Sequence, residues 1–366
     1  MGGGRQTPVA GVPHYILAHG APRGIASREH ARPAGRMNET ANPTEPSAGQ
    51  PAVADGHGDA LSFVHFTDPH LTSPAGAGAV ALANKRVLGY LSWRRRRRFI
   101  HQREVLAALV ADVQARSPGQ IAVTGDLTQV GLPAECEDAL AWLSSLAPPE
   151  RVSLVPGNHD RYVAADWSRT IGRWHAFMAS DDDSVRIANC TGGRHGFPTL
   201  RVRGPVAFIG LSSACASPPL MATGRLGRRQ RVAFAELLTE TAARGLFRVV
   251  LIHHPPVPGS YKWRKRLTDG GELVEVLSEH GAGLVLHGHT HRLMVNSVTG
   301  PDGQAIPVVG LSSASAAGSA PERHARYSLW TVQRHRGAHT LSHAARVYEP
   351  SSGAFADDDW DPLSAI

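Results

Sequence analysis

The sequence has few of the features that mark a disulfide-stabilised, thiolate-metal or membrane-spanning protein. Its three cysteines, Cys136, Cys190 and Cys215, lie far apart and form no CxxC pair, so they predict neither a disulfide framework nor a thiolate zinc site. No stretch approaches the roughly 20 consecutive apolar residues that a membrane span requires. The N-terminus also lacks the basic-then-apolar layout of a secretory signal. These absences favour a cytoplasmic protein with reduced cysteines.

Lysine is also scarce, since it accounts for only three of the 38 basic residues. The formal net charge is nevertheless +7, and the isoelectric point is near 9.8. A basic balance suits anionic substrates or surfaces but does not identify one. With 366 residues and 42% hydrophobic content, the chain is long enough for one large domain with tails.

Composition divides the chain into three parts. Residues 1–58 are rich in Gly, Pro, Ala, Ser and His without a sustained period, which predicts a disordered extension. Residues 59–350 carry the patterned segments of one folded domain, and residues 351–366 are predicted to form a loose acidic tail. We expect the active chemistry to lie in the middle part.

Short apolar runs alternate with helix-like stretches in the first two thirds of this domain, which predicts an α/β architecture. The predicted strands are Ser62–Thr67, Ile121–Thr124, Val152–Val155, Val249–Ile252 and Leu284–His287. The predicted helices include Arg103–Arg116, Ala134–Leu146, Arg228–Arg244 and Gly271–His280. Later strand-like runs at 306–313, 327–333 and 340–348 lack intervening helices, and we interpret them as a second, antiparallel-rich sheet.

Metal-type side chains follow or directly adjoin five of the strand-like runs. The segments are Asp68-Pro69-His70, Gly125-Asp126, Gly157-Asn158-His159-Asp160, His253-His254 and Gly288-His289-Thr290-His291. Ligands of open α/β sheets bind outside the carboxyl ends of strands, so we expect the five segments to meet in one cleft. Each segment alone arises readily by chance, and only the ordered set supports a prediction. Mixed carboxylate and imidazole ligands suit Mn, Fe, Zn or Ni rather than Ca or Mg.

In this order the five segments resemble the signature blocks of the calcineurin-like metallophosphoesterases, over residues 61 to about 315. The forms DxH, GD, GNHD, HHPP and GHxH are most similar to the class III cyclic nucleotide phosphodiesterase branch. The resemblance implies a four-layer α/β/β/α sandwich of two mixed sheets flanked by helices. It also implies two metal ions, of which Asp68, His70, Asp126 and His291 would bind the first. Asp126, Asn158, His253 and His289 would bind the second, which makes Asp126 the bridge.

The same resemblance implies catalysis by a metal-bridging hydroxide, with His159 stabilising the phosphoryl oxygens or protonating the leaving group. Either role fits a histidine that titrates near neutrality, whereas a supporting histidine without a catalytic part is the alternative. Asp160 would orient His159 or His70, or would simply cap a turn. Arg161 would contact substrate. His254 would support the ligands from behind or would be an ordinary packed histidine.

Two basic segments lie near these motifs. Arg94–Arg98, a run of five arginines after Trp93, would grip nucleic acid or an anionic membrane, or it would be the solvated start of a helix. The second segment contains Lys262, Arg264, Lys265 and Arg266 around Trp263. It would either reach the rim of the cleft, where Trp263 stacks on a base, or be an ordinary exposed loop.

The sequence thus predicts a dinuclear-metal phosphohydrolase with Mn, Fe or Zn as cofactor. We expect a phosphodiesterase that acts on a small soluble nucleotide such as 3′,5′-cyclic AMP. The alternative enzyme is a phosphodiesterase of phospholipid head groups or nucleic acid, docked through the arginine run. The alternative of a different class is a non-catalytic scaffold of this fold, against which the complete ligand set argues.

Overall fold

The computed structural model describes residues 15–17, 59–181, 196–318 and 320–366. Most of the predicted N-terminal extension lies outside these residues. The exception is Tyr15–Leu17, which forms strand β1 and pairs with a later strand, whereas its composition predicted no regular structure. No helix in these described ranges is both long enough and apolar enough to cross a bilayer.

The first sheet has seven strands and is mixed. Its order is β1, β12 (Ala338–Glu349), β11 (Arg326–His335), β2 (Ala60–Phe66), β3 (Gln120–Val123) and β4 (Val152–Leu154), with β13 (Ala354–Asp358) paired to β12. Strands β2, β3 and β4 are parallel, and β11 joins β2 in antiparallel fashion. The carboxyl ends of the three parallel strands therefore lie at one edge of this sheet.

The second sheet has six strands and is also mixed. Its order is β5 (Thr199–Arg203), β6 (Val206–Gly210), β7 (Phe247–Leu251), β8 (Leu284–His287), β10 (Ala305–Gly310) and β9 (Met294–Thr299). Strands β6, β7, β8 and β10 are parallel, and the two outer strands are antiparallel to their neighbours. Every residue of β6, β7 and β8 is buried, as expected for parallel strands covered on both faces.

Helices cover the outer face of each sheet. The α-helices are α1 (Ala79–Leu82), α2 (Arg86–Arg95), α3 (Arg103–Arg116), α4 (Pro133–Leu146), α5 (His175–Met178), α6 (Arg228–Ala243) and α7 (Gly270–His280). Leu109 of α3 and Leu143 of α4 join the core of the first sheet, and Leu237 of α6 and Leu277 of α7 join that of the second. Helix, sheet, sheet and helix thus form four layers, which confirms the predicted fold class.

The inner faces of the two sheets share one hydrophobic core. Phe63 on β2 meets Phe208 on β6 edge to face, with ring centroids 5.0 Å apart, a favourable aromatic geometry. Trp330 on β11 and Val249 on β7 belong to the same buried cluster. Because the sheets are packed together, loops from both sheets can reach one cleft.

Two predictions about the C-terminal part were wrong. The strand-like runs of the last third form no sheet of their own, since β11 and β12 extend the first sheet and β10 completes the second. Periodicity identifies a strand but not its partner. The acidic tail is not loose either, because β13 pairs with β12 and Leu363 is buried with 6% of its surface exposed.

Candidate metal centre

The seven predicted metal ligands lie on loops that leave strands of both sheets. Asp68 and His70 follow β2, Asp126 follows β3 and Asn158 follows β4, all in the first sheet. The other three, His253, His289 and His291, follow β7 and β8 of the second sheet. The structure brings all seven side chains into one cleft between the sheets, as the strand-end argument predicted.

The backbone of this cleft is strained in a consistent way. Five of the seven residues have positive φ angles, namely Asp68 (52°), His70 (42°), Asp126 (59°), His289 (71°) and His291 (54°). A left-handed conformation is uncommon for residues with a side chain and costs of order 1–3 kcal/mol each in strained cases. Such strain persists where the surrounding structure fixes a side chain in a functional position.

Two glycines make the close approach of these loops possible. A Cβ at Gly157 would lie 2.2 Å from Asp126 Oδ1, and a Cβ at Gly288 would lie 1.8 Å from Thr67 Oγ1. Neither contact is sterically allowed, so both positions require glycine. The GNHD and GHTH motifs therefore begin with glycine for packing reasons, and the ligands that follow sit directly against Asp126 and Asp68.

One group of donors contains Asp68, His70, Asp126 and His291, whose ligand atoms all lie within 4.8 Å of one another. His291 Nε2 is 3.2 Å from Asp68 Oδ1 and 3.2 Å from His70 Nε2. His70 Nε2 is 3.8 Å from Asp126 Oδ2. Donors that converge at these separations fit a single ion with metal–ligand distances near 2 Å.

A second group contains Asp126, His253 and His289, again with ligand atoms within 4.8 Å of one another. His253 Nε2 lies 3.3 Å from Asp126 Oδ2 and 3.2 Å from Asn158 Oδ1, so the amide oxygen joins this group. Asp126 belongs to both groups. Its carboxylate is therefore placed to bridge two ions, as the resemblance implies.

Buried polar atoms without partners mark the same places. Asp68 Oδ2 accepts bonds from Thr67 Oγ1 and from His289 N, both at 2.8 Å, whereas Asp68 Oδ1 has no hydrogen-bond partner. His289 Nε2 is likewise buried and unpartnered. Buried polar atoms are normally hydrogen-bonded, and here the unpaired atoms face the predicted ions. The residues thus fit two metal ions.

Backbone carbonyls orient two of the imidazoles toward the cleft. His253 Nδ1 donates to Thr124 O at 2.7 Å, and His70 Nδ1 donates to Thr128 O at 3.1 Å. Because a carbonyl can only accept, each Nδ1 carries a proton, and in the neutral, metal-binding form of each ring Nε2 has its lone pair free for a ligand bond.

Electrostatics pair His253 with Asp126 in the metal-free site. Burial works against a charged imidazole, but Asp126 outweighs it and raises the pKa of His253 to about 9. Burial likewise opposes ionisation of Asp126, yet His253 and His159 hold the pKa of Asp126 well below its usual range. Burial lowers the pKa of His70 and of His289 well below the usual value. These two histidines are therefore neutral, which is the form that binds metal.

His159 lies beside the first group, with its ring centroid 4.9 Å from that of His70. Its Nδ1 is 2.6 Å from Gln129 O and therefore donates a proton to that carbonyl. Arg97 Nη1 lies 2.9 Å from His159 Nδ1 and 3.3 Å from His159 Nε2. Because Nδ1 is itself a donor, only Nε2 can accept from Arg97. Burial, reinforced by Arg97, lowers the pKa of His159 to about 3. This differs from the sequence prediction, which took His159 to titrate near neutrality.

Asp160 contacts the ligand loops rather than a histidine ring. Its Oδ2 accepts from the backbone N–H of Asp126 at 2.8 Å and of Gly157 at 2.9 Å. Its Oδ1 accepts from Thr128 N at 3.0 Å and from Thr128 Oγ1 at 3.1 Å. Burial and Asp126 raise the pKa of Asp160 to about 7, against four donors that favour its charged form. The bonds match the turn-capping alternative and hold two ligand loops together.

His254 has both ring nitrogens engaged. Its Nε2 donates to Ala222 O at 3.3 Å, so its Nδ1 accepts from Ser213 Oγ at 2.7 Å. The ring stacks against His289 with centroids 4.4 Å apart. His254 therefore supports the ligand His289 from behind and has no nitrogen left for a metal.

Arg161 lies beside Trp167. Its guanidinium lies 6.0 Å from the Trp167 ring centroid. It also lines a neighbouring cavity of about 630 Å³ together with Arg228 and Arg229. The contact of Arg161 with substrate stays a prediction.

The arginine run divides into an outer and an inner part. Arg94, Arg95, Arg96 and Arg98 are exposed, whereas Arg97 is partly buried. The Arg97 Nη2 donates to Gly89 O at 2.9 Å, its Nη1 approaches His159, and its Nε has no partner. The sequence analysis interpreted the run either as a binding site for nucleic acid or an anionic membrane or as the solvated start of a helix. Neither interpretation placed one of its arginines in the cleft.

The second basic segment reaches the rim, as one of its two interpretations predicted. A cavity of about 530 Å³ beside the cleft is lined by Asn158, His159, Tyr162, Lys262, Trp263 and Lys265, among others. Burial lowers the pKa of Lys265, while Asp126 and Asp68 act to raise it, so this ammonium lies within electrostatic reach of the ligands. Trp263 is 60% exposed, and its ring is therefore available to a ligand at the rim.

Sequence reasoning missed His101. Together with His70 and His291 it forms a third group of nitrogen donors within 4.8 Å of one another. His101 follows the arginine run rather than a strand, so strand-end logic did not find it. The only sign of His101 in the sequence was the presence of a histidine in the short segment between α2 and α3.

Taken together, a two-ion donor set at the carboxyl ends of strands from two facing sheets defines a metal-dependent hydrolase of phosphate esters. A family model for calcineurin-like phosphoesterases matches residues 61–293, which is more than half of the chain. The chain therefore belongs to the calcineurin-like phosphoesterase family.

Individual relatives are more distant. A Synechococcus protein described as a probable cyclic nucleotide phosphodiesterase is 30% identical over 192 residues, which cover 52% of this chain and 64% of that protein. The match thus spans less than two thirds of the relative. Among solved structures, a dimetal phosphatase from Danio rerio has a TM-score of 0.47 at 13% identity and covers 79% of this chain and 99% of its own. A 5′-nucleotidase precursor from Thermus thermophilus has a TM-score of 0.41 at 16% identity, covering 78% and 54%.

Proposed function

We propose that the protein is a dinuclear-metal phosphodiesterase that acts on a small soluble nucleotide such as 3′,5′-cyclic AMP. The observation that carries the proposal is the pair of donor groups that share Asp126, next to a cationic cavity with an exposed tryptophan. When bound, the two ions would supply Lewis-acid charge on the phosphate and a water of lowered pKa. Mn, Fe and Zn fit the donor set best.

The charges of the cleft support an anionic substrate. Among the described residues, Asp68 and Asp126 are the only carboxylates in the two donor groups, so two divalent ions would exceed the negative charge of their ligands. Arg97 and Lys265 add further positive charge on the walls. A phosphate ester would supply negative charge to balance this excess. Its oxygens would also accept hydrogen bonds from the buried cations, which have little contact with water.

His159 would assist as a neutral imidazole oriented by its neighbours. Its Nδ1–H is held by Gln129 O, and its Nε2 lies next to Arg97. Its backbone N–H also donates to Asp126 Oδ1 at 2.7 Å, which fixes the ring relative to the bridging carboxylate. Arg97 would present N–H groups to the phosphoryl oxygens. His159 would donate from Nε2, to a phosphoryl oxygen or to a leaving group, only once the substrate's negative charge has raised its pKa and Nε2 is protonated.

The nucleotide part of the proposal rests on the cavity and on the Synechococcus relative. A volume of about 530 Å³ is in the range of small-molecule sites. Trp263 stands at its edge with the Arg264 guanidinium 5.2 Å from its ring centroid. A planar base can stack on such a ring without sequence-specific contacts. The described name of the relative, a probable cyclic nucleotide phosphodiesterase, points in the same direction.

A substrate panel tests the proposal. The Mn-supplemented protein is assayed with cyclic AMP, a generic aryl phosphodiester, an aryl phosphomonoester and a glycerophosphodiester, with Asp126→Ala as the inactive control. We expect both cyclic AMP and the aryl diester to be hydrolysed faster than the monoester. A preference for the monoester would overturn the phosphodiesterase assignment, and a preference for the glycerophosphodiester would move it to phospholipid head groups.

The role of the tryptophan is tested within the same panel. Trp263→Ala should raise KM for cyclic AMP at least about fivefold, because one base–aromatic stack contributes roughly 1–3 kcal/mol. The aryl diester serves as the internal control for damage to the metal centre. Equal losses on the two substrates would contradict base stacking at Trp263.

A further inference from the structure

His101 stands at the solvent side of the first donor group, outside the five ligand segments. Its ring centroid is 4.6 Å from that of His70 and 5.5 Å from that of His291. One nitrogen of each of these three imidazoles lies within 4.8 Å of the others. Since metal–nitrogen bonds are near 2.0–2.1 Å, opposite donors around one ion are about 4 Å apart. The spacing of the three nitrogens is therefore close to that of donors to a single ion.

The backbone holds His101 firmly in this place. His101 and Ala316 form an isolated antiparallel bridge. On either side, Gln102 N donates to Ser315 O at 2.9 Å and Ala317 N donates to Ile100 O at 3.1 Å. The segment that carries His101 is thus tied to the loop after β10. Because Thr67, just after β2, and Ser313, just after β10, form an isolated parallel bridge, this loop lies against the first ligand segment.

A chain of hydroxyl groups fixes the tautomer of His101. Ser313 Oγ donates its proton to Asp68 O at 2.6 Å, so it can only accept from Ser315 Oγ at 3.2 Å. Ser315 Oγ then has no proton left for His101 and accepts from Nδ1 at 2.8 Å. Ser313 Oγ also lies 3.2 Å from this Nδ1 and, with its own proton donated to Asp68 O, can only accept from it. The opposite arrangement would place lone pairs against each other at Ser313. Nδ1 is therefore protonated, and Nε2 keeps its lone pair.

We propose that His101 is an additional ligand of the first metal ion, where it adds a third imidazole to His70 and His291. The inference rests on the proposed two-ion site. The hydroxyl chain that orients His101 ends on the main-chain carbonyl of Asp68, which is another predicted ligand of the same ion. Histidines that bind metals are commonly oriented by hydrogen bonds of this kind from their second nitrogen. A third imidazole would shift the first site toward metals that prefer nitrogen donors, such as Zn, over Mg.

Metal titration of the 366-residue chain tests the proposal without substrate. The protein is stripped with a chelator and titrated with Co²⁺, whose visible absorption reports ligand number and geometry, and with Zn²⁺ against a chromophoric competitor. The variants are His101→Ala and His101→Gln. The control is His335→Ala, which removes an exposed histidine at the end of β11. Thermal unfolding of the metal-free variants verifies that each is folded. If His101→Ala is not folded, His101→Gln is used for the titration instead.

We expect two ions to bind to the unaltered chain and to His335→Ala. In His101→Ala one dissociation constant should rise at least about tenfold, because even indirect partners of ligands contribute 10–100-fold, and the Co²⁺ absorption of that site should change. Unchanged dissociation constants and spectra in both His101 variants would refute the assignment. If the unaltered chain itself bound fewer than two ions, the two-ion function would fail instead, which separates the two results.

Discussion

Asp160 offers a quantitative test of how the metal loops are held. The substitution Asp160→Ala removes one carboxylate that is 2% exposed and accepts from three backbone N–H groups, those of Asp126, Thr128 and Gly157. No nearby group replaces these acceptors once the carboxylate is gone. The loops that carry Asp126 and Asn158 would then be joined by fewer bonds.

The magnitude follows from the bonds. Leaving a buried donor unsatisfied costs roughly 1–3 kcal/mol, so three N–H groups correspond to about 3–9 kcal/mol in the free energy of unfolding. That is a large part of the 5–15 kcal/mol typical of a folded protein. Asp160→Asn keeps the shape and can turn its amide NH2 toward Thr128, whose hydroxyl has another acceptor in His159 O. One backbone N–H is then left unsatisfied, so about 1–3 kcal/mol should be lost.

Urea unfolding of the metal-free protein, followed by circular dichroism, measures the effect as a shift in midpoint at constant slope. Asp166→Ala is the matched control, because Asp166 also accepts a backbone N–H, from Arg169 at 3.1 Å, but in an exposed position. We expect a much smaller shift in midpoint there, because water replaces the lost acceptor at an exposed N–H. Equal midpoints for Asp160→Ala and Asp166→Ala would refute the reasoning.

Further predictions concern the centre itself. Asp126→Ala should abolish the binding of both ions, measured by elemental analysis, and all turnover, measured as the reaction rate. An active variant would overturn the two-ion site. His159→Ala should keep two ions while turnover falls about a hundredfold or more, and loss of an ion would instead make His159 structural. Arg97→Met should lower kcat/KM about 10–100-fold, since hydrogen bonds to charged groups contribute roughly 1.5–3 kcal/mol; the exposed Arg96→Met should have no such effect. Because the pKa of His253 is about 9 in the metal-free site, metal binding at pH 7.5 should release a proton, which calorimetry in buffers of different ionisation enthalpy detects. Affinity should rise up to tenfold per pH unit until about pH 9, and a flat profile would argue against the His253–Asp126 pair.

The same pair affects the stability of the metal-free protein. The pKa of His253 is raised in the folded state, from 6.5 to about 9. The stabilisation from its charged form is therefore fully present below about pH 6.5 and is lost as the pH rises through 9. Metal-free protein should accordingly unfold more easily at pH 9 than at pH 6.

The ligand loops were predictable because their information is local. A short apolar run such as Leu284–His287 predicts a strand, and the glycine and two histidines that follow it predict metal ligands at the end of that strand. The structure has β8 at these four residues. The fold class followed from the alternation of such runs with helices, although about half of the predicted boundaries moved by one or two residues.

Arg97 and His101 were not predictable in the same way. Their place in the cleft depends on how α2 and the 3-10 helix Arg97–Phe99 pack over Gln129 and the loop after β10. Those contacts join residues far apart in the chain, and the local pattern of five arginines carries no information about them. The pairing of β11 with β2 was missed for the same reason, since a strand's periodicity does not specify its neighbour.

Both donor groups draw on loops of both sheets. In the first group Asp68 meets His291, and in the second Asn158 meets His253. Each bound ion would therefore add a cross-link between loops of the two sheets, beside the packed core and hydrogen bonds such as those from His289 N to Asp68 Oδ2 and from His253 Nδ1 to Thr124 O. Ions that bind the folded chain alone stabilise it by RT ln(1 + [L]/Kd), so the cohesion of the two sheets at this edge would vary with the supply of trace metal. A metal-starved cell would contain a protein that is both inactive and more easily opened along the seam between its sheets.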